Sequence, residues 1–209
     1  MVFNSVYVMF DPLTTVRKQR FWDWFSGDDL HSRWTTNVSG SGSITMSNTS
    51  DGGVRILFSL GTNDSIDIDF GDKRQYAHDG SVFIAVAQTN LDYAQTNHFT
   101  DIGFTSPTFR STTRNATFNM HTAETYVRVR SNSGATSYSD TSVTNDNTKR
   151  SFKLALNGTN IKGIINGNLE VTKTTNLPDT NMQPFAQAWH GTGGVASGID
   201  VHYIEAYNT

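Results

Sequence analysis

The stretch IKGIINGNLEVTK, residues 161–173, decides the fold. Asn166-Gly167 divides it into two apolar-rich runs, and Asn-Gly is the strongest short hairpin signal because both central residues of a type I′ turn need positive φ. Just upstream, SFKLAL (151–156) is followed by Asn157-Gly158, a second turn with a longer loop. Residues 151–173 therefore predict a three-strand meander. Phe152, Leu154 and Leu156 alternate with Lys153 and Ala155, so one face of the first strand is buried and the other is wet.

Outward from the meander, short runs of the same kind fill the chain. GVRILFSL (53–60), SIDIDF (65–70), VFIAVAQ (82–88), HFTDIGF (98–104) and ETYVRVR (124–130) lie before it, and 185–189 and 199–207 lie after it. In SIDIDF, Ile66, Ile68 and Phe70 face one way while Asp67 and Asp69 face the other. No helical periodicity separates the runs. Ten or more short strands punctuated by turns predict an all-β fold, an antiparallel two-sheet β-sandwich. The polar tracts 37–53 and 131–148 read as long loops or edge hairpins.

Composition agrees. Val, Ile, Thr, Tyr, Phe and Trp total 77 of 209 residues, against 51 for the helix formers Ala, Leu, Glu, Lys, Gln, Arg and Met. That balance argues against a helical bundle. Val, Ile, Leu and Phe make 47 residues, enough to bury a core. The net charge of −3 supplies no basic field for nucleic acid, and no apolar run is long enough to span a membrane as a helix. Cysteine is absent, which excludes disulfides, thiolate metal sites and a Cys nucleophile. The opening MVFNSVYVMF lacks a preceding positive cluster and runs into Asp11-Pro12, so it makes a poor signal peptide. Residues 1–19 read as an N-terminal arm whose apolar Val6, Val8 and Phe10 are candidates for pairing with a neighbouring chain, and 20–209 read as the sandwich.

The order of residues resembles the concanavalin A-like (laminin-G-like) jelly rolls that recur in structural proteins of bacterial and archaeal viruses. The pieces that carry the likeness are FWDWFSGDDLHSRWTT (21–36), GSGSITMSNTSDGG (40–53), IDFGDKRQY (68–76), IINGNLEVTKTTNLP (164–178) and IDVHYIEAY (199–207). The resemblance implies a concanavalin-like jelly roll in which the strand after Phe21 pairs near the closing strand. The same fold hosts lectins, hydrolases, lyases and coats.

Within that resemblance, Asp67-Ile-Asp69-Phe-Gly-Asp72 is similar to the Glu-x-Asp-x-x-Glu strand of laminarinase-like hydrolases. Its outer positions are one methylene short, which is expected to separate the acids, and the segment reads as a solvated strand face ending in an Asx turn. Arg110-Ser-Thr-Thr-Arg114 is similar to an alginate-lyase motif, but the Glu, the Gln-Ile-His strand and the Tyr of that branch are missing, so it reads as a loop with two exposed arginines. The six histidines are scattered singly, and no metal or other cofactor is expected, although Asp67 or Asp200 could offer oxygens to calcium. For sugar binding the best-placed groups are Trp189-His190, then Tyr93, since an aromatic ring can stack on an apolar sugar face. Trp22, Phe83, Phe104 and Phe152 read as core. The expectation is a non-catalytic virion structural protein, a coat or tail component that self-assembles with itself or other virion proteins. A lectin-like adhesin and a polysaccharide hydrolase or lyase are the alternatives.

Overall fold

A computed structural model describes residues 19–26, 29–46, 53–57, 63–71, 75–95, 97–106, 114–191 and 197–209. Val6, Val8 and Phe10 of the arm lie outside them, as does Asp72. The described residues form fifteen strands in two antiparallel sheets. The eight-stranded sheet runs β13 (Asn168–Lys173), β12 (Ile161–Ile165), β11 (Arg150–Leu156), β6 (Ser81–Asn90), β15 (Gly198–Asn208), β4 (Val54–Leu57) and β3 (Ser43–Met46), with β1 (Arg20–Asp23) also paired to β15. The seven-stranded sheet runs β10 (Thr136–Thr144), β9 (Tyr126–Ser133), β8 (Arg114–His121), β7 (His98–Thr105), β14 (Gln183–His190), β5 (Asp64–Asp69) and β2 (Thr35–Ser39).

The meander forms as its turns dictate. Asn166 and Gly167 have φ of 50° and 84°, the pair of positive values a type I′ turn requires, and β11 buries every second residue. β1 pairs with the closing strand in the register Phe21↔Ala206, so the two ends of the sandwich meet. Between the sheets lies one core of Ile, Val, Phe and Ala. At one end Phe21 sits edge-on to Phe70 with ring centroids 4.7 Å apart, and Trp34 packs against both. At the other, Gly163 lets the sheets close: a Cβ there would lie 2.6 Å from Val129 Cγ2. Along one side the edge strands are laced together, since Lys173 Nζ donates to Ser137 and Ser139 and Ser142 donates to Glu170. Burial holds the Lys173 ammonium below the usual lysine range.

Several elements differ from the sequence reading. Arg114 opens β8, half-buried, with its Nε 2.6 Å from Asp179 Oδ1, so it is not an exposed loop residue, and Arg110 lies outside the described residues. The 131–148 tract does form an edge hairpin, one of its two expected readings, with β10 folded back on β9; in the 37–53 tract β2 and β3 close the edges of opposite sheets, β3 paired antiparallel with β4. Trp22 is half-buried on an outer face beneath Arg20, outside the core that takes Phe83, Phe104 and Phe152.

Candidate functional site

Strict alternation in β5 sends Ile66 and Ile68 into the core and turns Ser65, Asp67 and Asp69 to the far face of the seven-stranded sheet. Strand register carries that face across six neighbours. One row reads Asn37, Asp67, Gln187, Asp101, Asn119, Arg128, Asp140 from β2 to β10. Beside it run Thr35, Asp69, Phe185, Gly103, Thr117, Arg130, Tyr138 and, on the other side, Ser39, Ser65, Trp189, Phe99, His121. A sheet with one dry face does not normally align seven polar side chains on the other and then bury most of them. Asp67, Asp69, Gln187, Asp101, Asn119 and Arg130 are all buried here. The solvated strand face expected for Asp67 and Asp69 is therefore corrected: these carboxylates are packed among other polar side chains.

The two acids are also close. Asn37 Nδ2 donates to Asp67 Oδ1 at 2.7 Å and to Asp69 Oδ2 at 3.3 Å, so those oxygens lie no more than about 6 Å apart. The amide holds these two side chains together; the separation expected from the missing methylenes concerns the outer pair, Asp67 and Asp72, and Asp72 lies outside the described residues. Asp69 Oδ1 also accepts from Gly71 N at 2.7 Å, the expected Asx turn. Two strands away, Asp101 is held by Arg130 Nη1 at 2.9 Å, Thr117 Oγ1 at 2.9 Å and Asn119 Nδ2 at 3.1 Å. Its charge is spent inside the structure. Gln187 lies between Asp67 and Asp101, and its buried Oε1 has no hydrogen-bond partner.

The third row is aromatic. The rings of Trp189 and Phe99 stack at 5.0 Å, and Phe99 and His121 stack at 6.1 Å, which makes a half-buried platform about 11 Å long beside the acids. Gly191 makes room for it, because a Cβ there would lie 2.4 Å from the Trp189 ring. Burial first, and then Arg128, hold the His121 imidazole below its usual range. At the far end Arg128 lies 4.2 Å over the ring of Tyr138 and donates to Asn119 Oδ1.

Of the aromatic residues singled out in the sequence, Trp189 stands on this platform. His190 points to the opposite face, buried against His98 with ring centroids 4.0 Å apart, so the scattered histidines do include one pair. Tyr93 sits in the loop after β6, where its hydroxyl donates to Asn145. Among the described residues no three His, Asp or Glu side chains converge as metal ligands, and Asp200 is engaged by Arg55. Sequence reasoning did not find Gln187, Asp101, Arg130, Phe99 or His121. Each sits on an alternating strand, but only the register shows that they share a face.

No family model matches the chain, and no curated protein matches it. Solved structures do. A β-glucanase from Bacillus licheniformis aligns at a TM-score of 0.66 with 14% identity, covering 91% of this chain and 98% of its own. A structure described as a native glycosidic hydrolase aligns at 0.67 with 13% identity, covering 93% and 98%. The carbohydrate recognition domain of Emp47p aligns at 0.60 with 12% identity, covering 89% and 93%. These similarities establish the concanavalin-like sandwich. They also correct the expectation of a non-catalytic virion coat or tail protein: the three structures named are a β-glucanase, a glycosidic hydrolase and a carbohydrate recognition domain, and this chain carries close-set acids beside an aromatic platform.

Proposed function

We propose that this protein is a polysaccharide hydrolase acting on the outer face of the seven-stranded sheet, with Asp67 and Asp69 as its two carboxyl groups. One observation carries the reading: a single amide, Asn37, bridges both acids and keeps their facing oxygens within about 6 Å. Retaining glycosidases hold their carboxyl groups roughly 5–5.5 Å apart, whereas inverting ones need roughly 6.5–9.5 Å to admit a water. In such a site one carboxyl group gives its proton to the glycosidic oxygen while the other attacks the anomeric carbon and expels the leaving sugar. Water then releases the glycosyl group, with the first residue acting as base. Trp189, Phe99 and His121 stack sugar rings, and Asn37 and Gln187 meet hydroxyls. The unpartnered Gln187 Oε1 is an acceptor placed for one of them.

The neighbours that share the sandwich include β-glucanases, so β-glucans are the first substrates to try. Reducing ends released from a panel of β-glucans are measured for the wild type, Asp67→Asn and Asp69→Asn. The expected result is turnover on at least one glucan, with kcat lowered by about 10²–10⁴-fold in either variant. Turnover unaffected by both substitutions refutes the assignment of the acids. Binding without cleavage refutes hydrolysis and leaves a lectin.

A further inference from the structure

The opposite side of the sandwich carries a second aromatic cluster. On β1 and β15 the core residues Phe21, Ile204 and Ala206 alternate with Arg20, Trp22, Tyr203, Glu205 and Tyr207, which face outward. The register sets Arg20 beside Tyr207 and Trp22 beside Glu205. Glu205 is buried and takes Arg20 Nε at 2.7 Å, Arg20 Nη2 at 2.6 Å and the Tyr203 hydroxyl at 2.7 Å. The Arg20 guanidinium also lies 5.5 Å from the Trp22 ring and 5.9 Å from the Tyr207 ring. Trp24 tilts against Tyr203 at 4.4 Å and is 60% exposed, an unusual position for the largest apolar ring. Alongside opens a cavity of about 460 Å³, lined by Arg20, Ile84, Glu205, Tyr207, Asn208 and Thr209.

We propose that this surface is a second glycan-binding site, one that holds a neutral polysaccharide without cleaving it. The cavity falls within the roughly 300–1,000 Å³ of small-ligand sites. Its walls alternate apolar surface, Tyr207 and Ile84, with the polar tips of Arg20, Asn208 and Thr209. A sugar ring has the matching form, an apolar C–H face edged by hydroxyls, and the exposed Trp24 ring extends the platform for a neighbouring unit. Arg20 and Glu205 cancel each other's charge, so the site has no field to select an ionic ligand. Among the described residues lining this cavity Glu205 is the one acidic side chain, and it is committed to three donors, so no pair of acidic side chains is available for cleavage.

The inference rests on the proposed function only for the class of ligand, and its test separates the two. Affinity electrophoresis of the full chain runs in gels containing barley mixed-linkage β-glucan or laminarin, in an Asp67→Asn/Asp69→Asn background that removes cleavage. The expected result is retardation in one of the gels that Trp24→Ala weakens roughly two- to tenfold, the worth of one aromatic contact. Trp24→Phe should restore most of it, and Trp24→Ala with intact acids should cleave a soluble glucan tetrasaccharide at the wild-type rate. Retardation that depends on Trp189 but is unmoved by Trp24→Ala overturns the proposal, as does no retardation in either gel. A dimer by light scattering that Trp24→Ala dissociates overturns it in favour of self-association. If Trp24-dependent retardation persists in a protein that cleaves nothing, the second site stands and the hydrolase reading falls.

Discussion

Removing Arg130 tests whether the polar face is a buried, pre-organised network. The Arg130–Asp101 pair is 2.9 Å long, and its side chains are 9% and 0% exposed. The Arg114–Asp179 pair is 2.6 Å long, with side chains 33% and 58% exposed. Contact length alone would rank the second pair higher, but burial reverses the order. Arg130→Met leaves a buried carboxylate held only by the neutral groups of Thr117 and Asn119, a loss of about 3–5 kcal/mol for a broken buried pair. Arg114→Met removes a contact that water already screens, worth about 0–1 kcal/mol. For a chain of this size each kcal/mol moves Tm by roughly 2–4 °C, so Arg130→Met should lower Tm by roughly 6–20 °C and Arg114→Met by under about 4 °C. Urea titration checks both: the midpoint should fall while the slope stays constant. The double variant Asp101→Asn/Arg130→Met removes the stranded charge and should recover much of the loss. A cost below about 1 kcal/mol for Arg130→Met would show that water reaches Asp101 and that the polar face is not a buried network.

Three further outcomes follow from the geometry. Gly191→Ala places a methyl group against the Trp189 ring, and should raise the KM for glucan about as much as Trp189→Ala does, with little change in Tm by calorimetry. Gly163→Ala drives a Cβ towards Val129 and Phe118 in the core, and should cost about 1–3 kcal/mol in urea titration. His121 has a folded-state pKa below its unfolded value, so the stability it contributes is complete above about pH 6.5 and is lost as pH falls through the folded value. Unfolding free energies measured from pH 7 to 5 should fall less steeply in His121→Asn than in the wild type, and NMR titration of His121 should give a midpoint below that of an exposed histidine.

The sandwich was legible because its signals are local. The Asn166-Gly167 turn, the alternation in β5 and β11 and the lack of helical periodicity each need only a few consecutive residues. β8 was only weakly legible as a strand, because Arg114 and the small Ala116 dilute an alternation that rests on Phe118 and Met120; β10 was legible as part of an edge hairpin and not as a core strand, because TSYSDTSVT puts polar residues on both faces. Asp67 and Asp69 were visible as a motif, yet their burial and approach depend on Asn37, thirty residues earlier on β2. Trp189 was legible as a sugar-facing aromatic candidate, whereas its stacking partners Phe99 and His121 come from β7 and β8. The site is made by pairing between distant strands, and a single sequence carries no record of that pairing.

The separation of Asp67 and Asp69 implies a stereochemical outcome, and ¹H NMR of the first sugar released from a β-glucan reads it directly. The β-anomer should accumulate first and then mutarotate, as retention at a carboxyl pair closer than about 6 Å requires. Initial release of the α-anomer, or of no sugar from any glucan tested, contradicts it.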